Sequence, residues 1–152
     1  MTTEHRSATD ADAKAVDSYR LTEQVGFLIR VANQRHTAIF ANRMIEGLTP
    51  PQFSTLAKLR EVGPCSQNRL GRLVHLDAAT VKGVVDRLSG RGFVLTAVDP
   101  LDRRRRAVAL TERGHAVTDA AILLARDITE ETLEPLTGPE REQLVRLLRK
   151  IS

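Results

Sequence analysis

The sequence predicts a mainly α-helical protein with one small β-hairpin. Three observations support this fold class. Apolar residues recur at helical spacing along most of the 152 residues. Two short β-prone runs lie near residue 100, separated by a basic connection. The chain is 41% hydrophobic and 28% charged, and no apolar run approaches the ~18 residues that a membrane span needs. We therefore expect one globular domain of common size that does not bind a membrane.

The N-terminal part begins with a polar segment and continues as the longest helical pattern of the chain. Residues 1–15 contain few large apolar groups, which predicts a flexible arm. From Val16 to Ile45 the apolar residues keep helical spacing, which predicts one helix that ends near Gly47. About 30 residues at 1.5 Å per residue would make this helix about 45 Å long, too long for so small a domain to cover. Part of its apolar surface should therefore contact a second subunit.

A capping box opens the next helix. The residues Thr49-Pro50-Pro51-Gln52 combine a threonine cap, proline at the first helical position and a glutamine three residues after the cap. The helix should run to Gly63 and support the helices that follow. Cys65, the only cysteine, comes next and excludes an intrachain disulfide. A lone cysteine behaves as a small hydrophobe more often than as a redox sensor, which needs an exposed thiol of low pKa.

Two short helical patterns follow, and each begins with a capping residue. Ser66 caps the first, and Asp77 caps the second, which ends at Gly90 and Gly92. A short helix, a tight connection and a second helix form a helix-turn-helix, whose second helix enters a DNA major groove. An isolated helix with a polar face is more often an ordinary amphipathic helix. The expected DNA contacts on the two helices are Ser66, Gln67, Asn68, Arg69, Arg72, Ala79, Thr80, Lys82, Gly83 and Arg87.

The segment after these helices favours DNA binding. Phe93 to Val98 and Ala107 to Leu110 are β-prone runs, which predict a hairpin with a long basic tip. Four consecutive arginines would repel one another without an anionic partner, and arginine is favoured in a narrow minor groove. From residue 66 to residue 106, nine Lys and Arg face four Asp and Glu, a local charge of +5, whereas the remainder of the chain sums to −1. The expected hairpin contacts are Asp102, Arg103, Arg104, Arg105 and Arg106.

Two helices complete the chain. Thr111 caps the first, which should end at Pro135, and a second capping box at 137–140 opens the last. The leucine stripe of the last helix, which includes Leu144 and Leu148, needs a partner. Together with the long first helix it predicts a two-fold homodimer. We expect a single domain over 16–152, in which 16–47 and 111–152 are dimerisation helices and 49–110 form a winged helix-turn-helix.

These motifs resemble the MarR-type (multiple antibiotic resistance regulator) winged-helix transcription factors. The wing pattern of that family runs roughly D-x-x-D-x-R, then an alternating apolar strand, then L-T-x-x-G. The matching residues are Asp99, Asp102, Arg104, Val108, Leu110, Thr111 and Gly114, and Asp86-Arg87-Leu88 with Gly92 matches the end of the recognition helix. The resemblance implies that Asp102 orients Arg104.

The resemblance also implies a ligand-responsive regulator, most often a repressor, whose homodimer binds a pseudo-palindromic operator in double-stranded DNA. The alternative is an architectural DNA-binding protein with no effector.

The long first helix also indicates an effector class. Residues 25–30 and 34–40 resemble a branch of the family that controls aromatic-acid breakdown, including repressors released by aromatic acyl-CoA thioesters. Cationic and aromatic side chains could converge there on an aromatic acid or aromatic acyl-CoA, bound between the first helix and the DNA-binding lobe. The alternative is solvated charges beside core phenylalanines. The expected ligand contacts are Phe27, Arg30, Arg35, His36, Phe40 and Arg43.

Catalysis has little support in the sequence. There is no Gly-rich phosphate loop, no nucleophile elbow and no paired-histidine metal motif. The four histidines are scattered singly, at His5, His36, His75 and His115, so structural or surface roles are favoured over metal binding. We expect no enzymatic activity, no cofactor and no metal site. Because no hydrophobic signal segment stands at the start, a cytoplasmic protein is expected.

Overall fold

The computed structural model describes residues 9–152 and confirms the predicted fold class. Short 3-10 turns occupy Leu21–Glu23 and Ile45–Gly47. The chain divides into two compact units, Met1–Arg35 and His36–Ser152, and the boundary falls within the second helix. In chain order the elements of the described part are α1 (Asp10–Ser18), α2 (Val25–Arg43), α3 (Pro50–Val62), α4 (Gln67–Leu73), α5 (Ala78–Gly90), β1 (Val94–Val98), β2 (Arg106–Leu110), α6 (Glu112–Thr132) and α7 (Gly138–Ile151).

The prediction of a single helix from Val16 to Ile45 is wrong, because the chain leaves the helical conformation between α1 and α2. Tyr19 adopts φ −63° and ψ 129°, and Gln24 is extended as well. The side chain of Arg20 stabilises this break, since its Nη1 donates to the carbonyl oxygens of Asp17 (2.9 Å) and Tyr19 (3.0 Å). These bonds satisfy acceptors that a helix end leaves open. The 45 Å helix that predicts a second subunit is therefore absent, although the exposed apolar faces remain.

The predicted N-terminal arm overlaps α1. Residues 1–8 lie outside the described residues, but residues 10–15 form the first turns of this helix. A capping box begins it: the amide nitrogen of Thr9 donates to the Asp12 carboxylate over 2.9 Å, and the Asp12 amide donates to Thr9 Oγ1 over 3.3 Å. Such a box supplies partners for the first free N–H groups of a helix. No residue of α1 is buried within the chain.

The second unit contains a continuous hydrophobic core to which the elements from α2 to α6 contribute. Leu56 on α3, Leu70 on α4, Leu88 on α5 and Phe93 before β1 are all 0% exposed. Fully burying each such side chain stabilises the fold by roughly 1.5–3 kcal/mol. The core therefore holds the two helices of the helix-turn-helix on α3, as the sequence predicts for a supporting helix.

The predicted hairpin is confirmed. β1 and β2 are antiparallel, with Val94 opposite Leu110 and Val98 opposite Arg106. Val94 and Val108 are buried, whereas the residues from 103 to 106 are exposed. Cys65 extends the pairing, since its amide nitrogen donates to the Val108 carbonyl over 3.2 Å and Val108 donates back over 2.8 Å. The root of the hairpin is thus anchored beside the start of α4.

The last helix is amphipathic and buries none of its residues within the chain. Val145, Leu147, Leu148 and Ile151 are between 39% and 68% exposed. The capping box predicted for this helix is present, because the Thr137 amide donates to the Glu140 carboxylate over 2.8 Å. None of the helices over residues 9–152 is both long and apolar enough to cross a membrane.

Candidate nucleic-acid interface and ligand cavity

The turn between α4 and α5 fixes the orientation of the second helix. The amide of Leu76 donates to the Gly71 carbonyl over 2.9 Å, and His75 adopts a left-handed φ of 54° to make the turn. At the start of α5, Asp77 accepts from the backbone amide of Thr80 (2.7 Å) and from its hydroxyl (2.9 Å). The donated backbone hydrogen bond, followed by the hydroxyl bond, lowers the pKa of the Asp77 carboxyl below its usual value. This cap holds the N-terminal end of α5, the end that contacts base edges in a helix-turn-helix.

The structure places the predicted contact residues of α5 on its outer side. Val81, Val84, Val85 and Leu88 face the core, whereas the expected DNA contacts are exposed or, for Gly83, half-buried. The ammonium of Lys82 lies 2.6 Å from the Asp86 carboxylate one turn later. An exposed pair of this kind is worth about 0.3–0.5 kcal/mol, so Lys82 can leave it for a DNA acceptor at small cost. The predicted contact residues of α5 that the structure exposes are Ala79, Thr80, Lys82 and Arg87.

A cationic cleft of about 450 Å³ lies between α4 and the hairpin. Three of its five lining side chains are arginines, one from α4 and two from the hairpin, so the cleft attracts anions. Ser66 also caps α4, since its Oγ accepts from the Arg69 amide over 3.2 Å. The cleft is lined by Ser66, Asn68, Arg72, Arg105 and Arg106. The structure thus brings predicted contacts of the first helix and of the hairpin to one place.

The hairpin tip is ordered by Asp102, which contacts the backbone of Arg104 and the guanidinium of Arg105. One carboxylate oxygen accepts from the backbone amide of Arg104 over 2.9 Å. The other lies 3.5 Å from Nε of Arg105, and the Arg105 amide donates to the Asp102 carbonyl over 2.9 Å. Asp99 closes the loop, because its amide donates to the Arg105 carbonyl over 2.8 Å. Asp102 therefore fixes the backbone of Arg104 and the guanidinium of Arg105.

A separate cavity of about 220 Å³ lies within the second unit, between α2, α3 and α6. The rings of Phe40 and Phe53 meet edge to face there, with centroids 6.0 Å apart. Nδ1 of His36 lies 2.9 Å from Oγ1 of Thr132. The lining residues are His36, Phe40, Pro50, Phe53, Ser54, Ala125, Ile128 and Thr129. An aromatic wall with a few polar groups is typical of a small-molecule site.

Only part of the expected ligand set lines this cavity. His36 and Phe40 do, whereas the Arg43 guanidinium forms an ion pair with Glu131 on α6. Phe27, Arg30 and Arg35 belong to the first unit, where the guanidinium of Arg30 lies 5.2 Å from the centre of the Phe27 ring. The sequence does not indicate the lining residues Phe53, Ser54, Ile128 and Thr129, because they come from other helices along the chain and no local pattern marks them.

Comparison with known proteins decides the family. Residues 48–105 match the model of the MarR family. Over 134 residues the chain is 47% identical to the HTH-type transcriptional repressor NicR of Pseudomonas putida, covering 88% of this chain and 85% of NicR. The chain belongs to the MarR family. This confirms the resemblance inferred from the wing and the recognition helix.

Solved structures of two bacterial proteins are similar to this MarR family member. A probable transcriptional regulator from Pseudomonas aeruginosa is 48% identical, with a TM-score of 0.84 over 88% of this chain and 100% of the other. BpsR of Bordetella bronchiseptica, whose DNA binding is regulated by 6-hydroxynicotinic acid, is 41% identical, with a TM-score of 0.81 over 88% and 96% of the two chains.

Cys65 has the environment of a structural residue. Its side chain is 3% exposed, and burial raises the pKa of its thiol. Oxidant sensing in a MarR family protein would need the opposite, an exposed thiol of low pKa. Across residues 9–152 no group of three or more His, Cys, Asp and Glu side chains is arranged to hold a metal ion.

Proposed function

We propose that this protein is a transcriptional repressor whose α5 helix enters the major groove of an operator while the hairpin wing enters the adjacent minor groove. The observation that carries the proposal is the arrangement of α5, α4 and the wing in one unit, with outward polar side chains on α5 and four exposed arginines at the wing tip. Thr80, Lys82 and Arg87 are suited to hydrogen bonds with base edges. The membership of the MarR family supports the same function.

The cationic cleft between α4 and the wing is proposed to hold a backbone phosphate. Arg72 approaches it from α4, and Arg105 and Arg106 approach it from the wing. Guanidinium groups bind phosphate oxygens through two parallel hydrogen bonds. A phosphate in this position would fix the register of α5 in the groove without reading sequence. The residues proposed to hold the phosphate backbone are Ser66, Gln67, Asn68, Arg69, Arg72, Arg103, Arg105 and Arg106, and Arg104 is proposed for the minor groove.

A homodimer is proposed to present two recognition helices to a pseudo-palindromic operator. α1 and α7 each expose apolar side chains, among them Val16 and Tyr19 on the α1 side and Leu148 and Ile151 on α7. Covering these faces with a second copy would remove apolar surface from water. The two half-sites should then lie about 10 bp apart, centre to centre. Sedimentation of a monomer at micromolar concentration would contradict this assembly, and deletion of residues 137–152 should give monomers or aggregates.

The effector proposed for the α2–α3–α6 cavity is a single-ring aromatic acid. The volume of about 220 Å³ is below the ~300–1,000 Å³ that holds drug-sized ligands. Phe40 and Phe53 would contact the ring, while His36 and Thr129 would hydrogen-bond its polar substituents. The regulation of BpsR by 6-hydroxynicotinic acid supports this ligand class. An aromatic acyl-CoA could place only its acyl ring in this volume. Arg30, Arg35 and Arg43 remain proposed contacts for the charged part of a ligand.

Calorimetry and operator titration test the effector together. Benzoate, nicotinate, 6-hydroxynicotinate and benzoyl-CoA should be titrated into the protein, and those that bind should then be added to an operator complex. Phe53→Ala and His36→Ala should lose ligand binding, whereas Thr37→Ala, exposed on the same helix and absent from the cavity lining, should keep it. A ligand releases DNA only as far as it binds the DNA-free geometry more tightly.

The competing function is that of an architectural DNA-binding protein with no effector. It would bind DNA with little sequence preference and would ignore all these compounds. Footprints that are confined to one sequence and vanish with a small acid would exclude it. We further propose that the protein acts in the cytoplasm and has no catalytic role, in keeping with its family of regulators.

A further inference from the structure

The connection between α2 and α3 has an uncommon backbone. Glu46 adopts φ 57° and ψ 15°, and Gly47 follows with φ 59°. A left-handed conformation is unfavourable for a residue with a side chain, and it persists where neighbouring groups hold it in place. Met44 and Leu48, on either side, are buried. The chain is thus held in a strained turn at the point where α2, which lines the ligand cavity, ends.

Arg91 bonds this turn from outside. It caps the C-terminal end of α5, and its Nη2 donates to the carbonyl oxygen of Glu46 over 2.5 Å. The same nitrogen lies 3.3 Å from a carboxylate oxygen of Glu46. The two side chains are 33% and 41% exposed, so their charge attraction alone is weak. The contact instead fixes the position of Glu46 relative to the end of α5, because the planar guanidinium bonds both the carbonyl and the carboxylate of this one residue.

The guanidinium of Arg91 also lies on an aromatic ring at the root of the wing. It stands 4.7 Å from the centre of the Phe93 ring, which is fully buried and leads into β1. Arg113 of α6 contacts the same ring at 4.9 Å and donates to the Arg91 carbonyl over 3.1 Å. Four parts of the unit therefore converge on Arg91: the α2–α3 turn, the end of α5, the start of the wing and the start of α6.

We propose that Arg91 is a positioning residue for operator binding, and that its contact with Glu46 is the link through which a ligand in the cavity changes the position of α5 and the wing. The cavity and the turn share α2, since His36 and Phe40 lie within three turns of Glu46 on the same stretch of chain. A displacement of the C-terminal half of α2 changes the position of the Glu46 carbonyl. The guanidinium bonded to that carbonyl carries the change to the end of α5. The second half of the proposal rests on the proposed effector function.

The test measures two ratios for each variant. The first, the coupling ratio, is the operator dissociation constant with saturating 6-hydroxynicotinate divided by the constant without it. The second, the specificity ratio, is the affinity for operator divided by the affinity for a scrambled duplex. Calorimetry on the same samples reports ligand binding separately. Arg91→Ala should reduce the specificity ratio by about tenfold. It should also bring the coupling ratio close to one, whereas typical allosteric coupling changes affinity about 5- to 150-fold. Arg91→Lys should recover part of both.

Two further variants separate positioning from stability. Arg113→Ala removes the other cation from the Phe93 ring and the hydrogen bond to the Arg91 carbonyl, but it leaves the contact of the Arg91 guanidinium with Glu46. It should therefore lower the melting temperature and keep both ratios. Glu46→Gln keeps the carbonyl acceptor and should have a smaller effect than Arg91→Ala. The proposal would be overturned if the Arg91→Ala protein folded and kept both wild-type ratios. It would also be overturned if Arg113→Ala lowered the two ratios as much as Arg91→Ala does. A wild-type protein that binds no acid would remove the effector function, while the specificity ratio would still test Arg91.

Discussion

A Cβ atom on Gly114 would lie 1.9 Å from the carbonyl oxygen of Phe93. α6 passes this close to the wing because Thr111 joins the two: its amide donates to the Phe93 carbonyl over 3.0 Å, and its hydroxyl donates to the Gly92 carbonyl over 2.6 Å. The same hydroxyl accepts from the Gly114 amide over 2.9 Å. The atom that a Cβ on Gly114 would meet is therefore a backbone oxygen held by hydrogen bonding, which cannot move aside as a flexible side chain could.

Gly114→Ala should destabilise the protein. Overpacking of this kind costs typically about 1–3 kcal/mol, and here the clashing atom is a backbone oxygen. The matched control is Gly90→Ala at the end of α5, where an added Cβ meets nothing within 4 Å. Thermal denaturation of both variants should show a lower melting temperature for Gly114→Ala alone. Equal melting temperatures would contradict the close approach.

Gly83→Ala should separate folding from DNA binding. A Cβ here meets only Nη1 of Arg87, at an ordinary contact distance of 3.7 Å. Alanine is favoured over glycine in a helix by ~1 kcal/mol, so the free energy of unfolding should rise. Operator affinity should fall nonetheless, because the added methyl group lies on the side of α5 that is proposed to approach the bases. A variant that is more stable and binds operator as tightly as wild type would show that this side does not face DNA.

The wing arginines should differ in their dependence on Asp102. Arg104→Ala should weaken operator binding strongly and leave the protein folded, since its side chain is exposed at the wing tip. Asp102→Ala should weaken binding less. Because Asp102 pairs with the guanidinium of Arg105, the Asp102→Ala and Arg105→Ala effects should overlap in a double-mutant cycle. Fully additive effects on operator affinity at moderate salt would contradict a shared role.

The helix starts could be predicted because a cap is a local signal. Thr49, Asp77 and Thr111 each bond the backbone three residues later, so the sequence alone contains both partners. The break before α2 could not be predicted from the sequence, because the apolar residues keep helical spacing through it. At the break the Arg20 side chain bonds the carbonyl oxygens of Asp17 and Tyr19, and no periodicity shows these contacts.

The residues proposed as ligand contacts are harder to predict from the sequence, because a cavity joins distant parts of the chain. His36 and Phe40 were predicted from their own helix, but Phe53 and Ile128 come from α3 and α6. Arg43 was predicted as a ligand contact from its charge, yet it pairs with Glu131, 88 residues away. A charge pattern indicates that an arginine needs an anionic partner, but it does not show whether that partner is a ligand or a carboxylate of the protein.

The acid sensitivity of the protein should include a contribution from Asp77. Hydrogen bonds from Thr80 lower its pKa in the folded state, so ionised Asp77 favours folding. This contribution is fully present above the unfolded pKa of about 3.9 and is lost as the pH falls through the lower folded pKa. Asp77→Asn keeps a good capping group. Melting temperatures of wild type and Asp77→Asn should therefore be similar near pH 7, and the wild type should lose more as the pH falls below about 4. Parallel losses would contradict the assignment.

Lys82→Ala and Arg72→Ala should change DNA binding in different ways. Lys82 lies on the outer side of α5 and is held only by an exposed pair with Asp86, so its ammonium can move to a base edge. Its loss should relax preference at one operator position, at a cost of roughly 1–3 kcal/mol. Arg72 lies in the cleft with Arg105 and Arg106, where a phosphate would bind. Its loss should weaken the binding of all duplexes about equally and reduce the slope of log K against log salt by about one.

Anisotropy titrations against single-position operator variants at several salt concentrations give both the sequence preference and the salt slope. Identical selectivity profiles for the two variants would mean that α5 does not recognise sequence separately from the α4 cleft.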